Sequence, residues 1–262
     1  MPTWKLEIEY DGTRYRGWPM QHNAKTIQGE LTGVTRELFS SPAEIFSGEA
    51  TEPGIHSLRQ IVHLKVPEIT VDLTPAQLLK DFNELLPQDI NIIKIANAPD
   101  TFHARKDAVG RYYLYQISTR RTAFAKNYVW WVKNKHDAKA MNEAAKLLVG
   151  RYDFRSFCEL EEGKNPPTVI NVERAEVFTD GDLICFRIGA SHFFPKMVRR
   201  IVGLLAEVGR SDMSYDSFAR LLKFPSDVPA KFTAPPSGLF LEKVLYKNDT
   251  GPQSPRSFSL IA

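Results

Sequence analysis

Stretches with the two-residue period of a strand and the helical period of three to four alternate along this chain in two successive rounds. Each round must bury the apolar face of a sheet under helices. The pattern therefore predicts an α+β fold of two similar domains, with mainly antiparallel sheets flanked by helices. In the first round Trp4, Leu6, Ile8 and Tyr10 alternate with Lys5, Glu7 and Glu9, the signature of a half-buried strand. Thr26 can cap a helix with Ile27, Leu31, Val34 and Leu38 on one face. Residues 60–64 read as a strand. Thr74-Pro75 opens a second helix carrying Leu78, Phe82 and Leu85, and residues 91–96 form a further strand.

The second round begins after Arg105, with a strand over 111–117 and a helix over 137–148 that has Gly150 just beyond it. Asp180-Gly181 lies between strand patterns at 172–178 and 183–188, a strong antiparallel hairpin signal. A helix over 196–208, a short helix capped by Ser214 and a strand over 238–246 complete the round. The expected organisation is an N-terminal domain over 1–105 carrying the reactive loop described below, a C-terminal domain over 106–246, and a loose tail over 247–262, rich in Pro, Ser, Asn and Gly. A cleft between the halves is the expected place for a ligand.

With 262 residues, 43% of them hydrophobic, the chain can bury the cores this organisation needs. Its 34 Lys and Arg against 31 Asp and Glu leave a net charge of +3, which permits an anionic partner without demanding one. Cys158 and Cys185 form no Cys-x-x-Cys, so a disulfide framework or structural zinc is not expected and a reducing cytoplasm fits. The spacing of His56 and His63 suits no common metal site, and packing or hydrogen bonding is expected of them. No run is long enough to span a bilayer, and no membrane association is expected.

The chemistry centres on Thr51-Glu52-Pro53-Gly54-Ile55-His56. Pro53 pushes Glu52 towards an extended backbone and Gly54 permits a sharp reversal, so a carboxylate is set in a short turn ahead of a strand. Alternation in Arg111-Tyr112-Tyr113-Leu114-Tyr115 sends Tyr113 and Tyr115 to one face. Met197-Val198-Arg199-Arg200 sets a cation on a helix that otherwise packs inward. Carboxylate, ring and guanidinium suit nucleobase chemistry. The ring can stack on a base taken out of its helix, and the arginine can hold the carboxylate ionised and oriented. Taken singly, these residues fit equally a solvated turn carboxylate, a sheet tyrosine and a snorkelling arginine.

Several motifs in order are similar to those of the tRNA pseudouridine synthase A family. Tyr10-Asp11-Gly12-Thr13-Arg14-Tyr15-Arg16-Gly17-Trp18 followed by Thr26-Ile27-Gln28 resembles its opening. Phe102-His103-Ala104-Arg105 with Arg111-x-Tyr113-x-Tyr115 resembles its centre. Asp153-Phe154-x-x-Phe157, Phe193-x-x-x-Met197-Val198-Arg199-x-Ile201-x-Gly203 and Ala234-Pro235-x-x-Gly238-Leu239-x-Leu241 resemble its C-terminal motifs. The resemblance implies isomerisation of uridine to pseudouridine in the anticodon arm of tRNA, by a homodimer that uses no cofactor. It assigns the nucleophile to Glu52, base stacking to Tyr113 and pairing with the carboxylate to Arg199. Arg14, Arg105, Arg111, Lys196 and Arg200 become candidate RNA contacts, and Arg120, Arg121 and Lys126 extend that basic track. The family's catalytic turn reads Gly-Arg-Thr-Asp-x-Gly-Val-His, where this chain has Glu49-Ala50-Thr51-Glu52-Pro53-Gly54-Ile55-His56. Glutamate thus replaces aspartate, and alanine an arginine. The alternative reading is a catalytically impaired relative that binds tRNA.

Overall fold

The computed structural model describes residues 1–39, 41–67, 73–163 and 165–258. The fold is α+β, mostly antiparallel, and the chain divides into two compact units. Met1–Val109 joins Phe240–Asp249 in the first, and Gly110–Leu239 joins the chain from Thr250 onward in the second.

The first unit runs β1 (Thr3–Tyr10), α1 (Ile27–Phe39), β2 (Glu44–Ser47), β3 (His56–Lys65), α2 (Pro75–Leu85) and β4 (Ile90–Asn97). β1 lies between β3 and β4 and is antiparallel to both. Leu6, Ile8, Val62, Leu64 and Ile92 meet Ile27, Leu31, Leu78 and Phe82 of the two helices in one buried core. Both helices start where the sequence predicts; Gly29 N–H donates to the predicted cap Thr26 Oγ1 (3.2 Å), and Gln77 N–H donates to Thr74 Oγ1 (3.2 Å), ahead of Pro75.

The second unit contains β5 (Gly110–Ser118), β6 (Trp130–Trp131), α3 (Ala138–Lys146), β7 (Gly150–Asp153), β8 (Val169–Asp180), β9 (Leu183–Ala190), α4 (Met197–Gly209) and α5 (Tyr215–Leu221). Strand order is β5-β9-β8-β7, all antiparallel, with β6 added in parallel beside β5. The hairpin at Asp180-Gly181 forms as expected, with Asp180 paired to Leu183. α3 lies against β8 and α4, burying Met141, Ala144 and Ala145.

Two features differ from the expected organisation. The closing strand, β10 (Leu239–Leu245), expected within 106–246, runs parallel beside β3 through Phe240–His56 and Leu241–Ser57, and so belongs largely to the first unit. The tail expected to be loose is tied to the second unit over its described part. Arg174 Nη1 donates to the Pro252 carbonyl (2.6 Å), Ser257 N–H and Oγ–H both donate to Asp180 Oδ2, and Phe258 N–H donates to Gln116 Oε1 (2.7 Å). Its composition offers little apolar surface, but side chains of β5 and β8 satisfy its backbone instead.

Candidate functional site

In the first unit, the turn carrying Glu52 is held by the segment Tyr10–Trp18. Trp18 N–H donates to the Thr51 carbonyl (2.9 Å), and Gly54 N–H to the Tyr15 carbonyl (3.3 Å). Ile55 N–H closes the turn on the Glu52 carbonyl (3.2 Å). Tyr10 Oη and Thr51 Oγ1 share a buried hydrogen bond of 2.8 Å. Below the turn, Gly12 N–H donates to His56 Nδ1 (3.1 Å), and the His56 ring stacks on Phe240.

Gly17 is what lets the two segments approach. It sits at φ +92°, and a Cβ there would lie 2.7 Å from the Thr51 carbonyl oxygen. Both the backbone angle and the gap exclude a side chain. Thr51 and Ile55 are buried on either side of half-buried Glu52, so the loop is rigid where the carboxylate leaves it. Gln60, fully buried, brackets Glu49 by donating to its carbonyl (2.7 Å) and accepting from its N–H (3.2 Å). No sequence signal marks Gln60, because a polar residue in a strand ordinarily reads as a solvent-facing one.

The Phe102–Arg105 motif is also fixed within this unit. Ala104 N–H donates to His63 Nδ1 (3.0 Å), and its carbonyl accepts from Tyr246 Oη (2.7 Å). His63 Nε2 meets Glu44 at 2.9 Å. With Nδ1 accepting, the neutral ring carries its proton on Nε2 and donates to Glu44. Burial holds the His63 pKa below its ordinary value, against the opposing pull of Glu44. His56 and His63 thus serve packing and hydrogen bonding.

In the second unit, Tyr113 is 5% exposed and meets Phe193 edge-on, with centroids 5.2 Å apart. Tyr115 is fully buried and donates to the Pro235 carbonyl (2.8 Å). Arg199 lies in the first turn of α4. Its Nε donates to the Ala234 carbonyl (2.7 Å), and its own carbonyl accepts from Ala234 N–H (3.1 Å). Ala234-Pro235 is therefore the hub at which Tyr115 and Arg199 converge. Burial drives the Tyr115 phenol pKa well up, and the Arg199 charge opposes that only partly.

The candidate RNA contacts fall into two groups. Arg14 is exposed and paired with Asp89 (2.6 Å), and Arg105 is exposed. Lys196, at φ 59°, pairs with Glu159 (2.5 Å). Arg111 and Arg200 are buried, 6% and 9% exposed; Arg111 Nη1 donates to the Ser191 carbonyl and Arg200 Nη1 to the Cys158 carbonyl. A guanidinium enclosed this way holds the protein's own backbone. No helix among the described residues is long and apolar enough to cross a membrane.

A family model described as tRNA pseudouridine synthase matches residues 144–247. The chain is 38% identical to the tRNA pseudouridine synthase A of Rhodopseudomonas palustris (strain BisA53) over 251 residues, which cover 94% of this chain and 100% of that protein. It is 34% identical to the proteins of the same name from Brachyspira hyodysenteriae and Aquifex aeolicus, again over 94% of this chain, and over 98% and 100% of theirs. Motifs that grip the Glu52 turn in one unit and Arg199 in the other lie within a similarity running almost end to end. This chain belongs to the tRNA pseudouridine synthase A family.

Proposed function

We propose that this protein isomerises uridine to pseudouridine in tRNA, within the anticodon arm, with Glu52 as the nucleophile. The observation that carries the reading is the 38% identity sustained over 94% of the chain with a protein named for that activity. The reaction breaks the N1–C1′ glycosidic bond, forms a C5–C1′ bond, takes a proton from C5 and returns one to N1. Substrate and product are isomers, so no co-reactant is consumed.

In this reading Glu52 supplies the attacking carboxylate oxygen, Tyr113 stacks on the target uracil and Arg199 pairs with the carboxylate. The three hydrogen bonds around the Thr51–Ile55 turn support a preorganised nucleophile, since a loop fixed at its backbone holds its side chain near one geometry. Arg14, Arg105 and Lys196, none of them buried, are the candidate phosphate contacts. A homodimer in the cytoplasm is part of the same proposal, and the two buried free thiols, Cys158 and Cys185, suit a reducing compartment.

The test is incubation of the purified protein, in excess, with unmodified tRNA, followed by carbodiimide mapping of pseudouridine. The expected result is modification at defined anticodon-arm uridines. Salt-sensitive tRNA binding with no product would instead establish a tRNA-binding relative.

A further inference from the structure

We propose that the loop around Phe124 is a further RNA-contact surface, on which the Phe124 ring stacks against an unpaired base while Arg121 and Lys126 neutralise flanking phosphates; this rests on the tRNA reading above. Phe124 is 94% exposed, and Trp131, in the strand β6 that follows the loop, is 44% exposed. A cavity of about 650 Å³ opens at Trp131, lined also by Arg121, Thr122, Ala123, Lys126 and Val129. None of the lining residues is acidic.

The charge pattern is unusual for this chain. Overall, 34 cations nearly balance 31 acids, yet between Asp107 and Asp137 there is no Asp or Glu and there are six Lys or Arg, five of them exposed and only Arg111 buried. Basic residues interleaved with exposed aromatic rings are the signature of a surface that follows a nucleic-acid backbone and stacks its bases.

Phe124 is held outward by its surroundings. Its neighbour Ala125 is fully buried and Val129 is 3% exposed. Ala125 N–H donates to Thr122 Oγ1 (3.2 Å), and Tyr128 N–H to the Ala125 carbonyl (2.8 Å). Gln116 Nε2 reaches the Tyr128 carbonyl from β5 (3.1 Å), and Trp130–Trp131 pair with Ile117–Ser118. Arg120 is tied to Asp182 at 2.5 Å and completes the loop's base. The ring therefore stands on a fixed platform, so little conformational freedom is lost when a base stacks on it. A protein partner seated on Phe124 would have to bury Arg121 and Lys126 with it, and interface cores are depleted in lysine. A polyanion with accessible bases uses both features.

The experiment measures tRNA binding by anisotropy across a salt series for the full-length protein and for Phe124→Ala, Phe124→Trp and the Arg121→Ala/Lys126→Ala pair. Sedimentation reports the oligomeric state of each. Phe124→Ala is expected to raise Kd about 5-fold or more, with Phe124→Trp close to wild type. The double variant should flatten the log K against log salt slope by about 1 to 2. Pseudouridine formation at saturating tRNA should keep its kcat while KM rises. Wild-type affinity in Phe124→Ala overturns the proposal, as does a loss that merely follows a changed oligomeric state, which would mark an interface between copies. A wild-type protein that binds but does not modify tRNA, and weakens on Phe124→Ala, supports this contact while overturning the reaction.

Discussion

The Trp18 N–H donates to the Thr51 carbonyl oxygen across 2.9 Å, one residue before Glu52. Through this bond the opening motif of the chain is joined to the turn that carries Glu52. Tyr10 and Tyr15 add two more points of attachment, one through a side chain and one through backbone, and Gly17, lacking a Cβ, lets the segments come this close. A turn this constrained passes any change in side-chain length directly to the position of the carboxylate.

Replacing Glu52 should therefore separate charge from reach. Glu52→Gln keeps the length and removes the anionic oxygens, and single-turnover assays are expected to show no pseudouridine above background. Glu52→Asp withdraws the carboxylate by roughly 1 Å, to the reach typical of the family. It is expected to raise the single-turnover rate, by up to about 10²-fold. A fall in rate would mean that the turn around Pro53 is already matched to glutamate.

Gly17→Ala places a methyl group 2.7 Å from the Thr51 oxygen at a φ of +92°. The expected cost is about 1–3 kcal/mol, seen as a lower urea midpoint with unchanged slope. The turn must also shift to make room, so the single-turnover rate should fall by more than tRNA affinity does. Equal losses in the two would argue against a role in positioning Glu52.

Gly203→Ala pits two effects against each other. Within a helix, alanine is favoured over glycine by about 1 kcal/mol. Here, however, a Cβ would lie 1.5 Å from the Phe232 carbonyl oxygen, a backbone atom that cannot simply rotate away. α4 and the short 3₁₀ segment Val228–Phe232 would have to separate, and overpacking of this kind costs about 1–3 kcal/mol or more. The steric term should win, and the urea midpoint should drop; a rise would show that helix propensity dominates.

Asp89 accepts from Tyr15 Oη (2.6 Å) and Arg14 Nη2 (2.6 Å), anchoring the opening motif to the start of β4. Burial alone would raise its pKa, but the hydrogen bonds from Tyr15 and Arg14 prevail and hold the carboxyl below its ordinary value. A folded-state pKa below the unfolded one stabilises the protein above the unfolded value, and that contribution is lost as pH falls through the folded one. Asp89→Asn should thus be less stable than wild type at neutral pH. The gap should narrow as pH drops below about 4, and urea midpoints measured across pH will check both the sign and the window.

Much of this was legible in the residues themselves. The periods of Trp4–Tyr10, the Thr26 and Thr74 caps and the Asp180-Gly181 turn all depend on neighbours within a few positions, and each element formed where they placed it. β2, β6 and β7 were not legible, because strands of two to four residues are too short to display a period. The order of the motifs was legible too, but not that the opening one grips the Glu52 turn and the closing one Arg199.

Sequence by itself determined the α+β class, the positions of most elements and the set of residues assigned to the chemistry. Tertiary structure alone decided that β10 lies beside β3, that the tail is tied to Asp180 and Gln116, and that Arg200 faces the Cys158 carbonyl instead of solvent. It alone shows Gln60 and Gly17 shaping the loop that carries Glu52. The reason is physical: a helix or strand declares itself through contacts a few residues apart, whereas a hydrogen bond or close approach between distant segments leaves no periodic trace in either one.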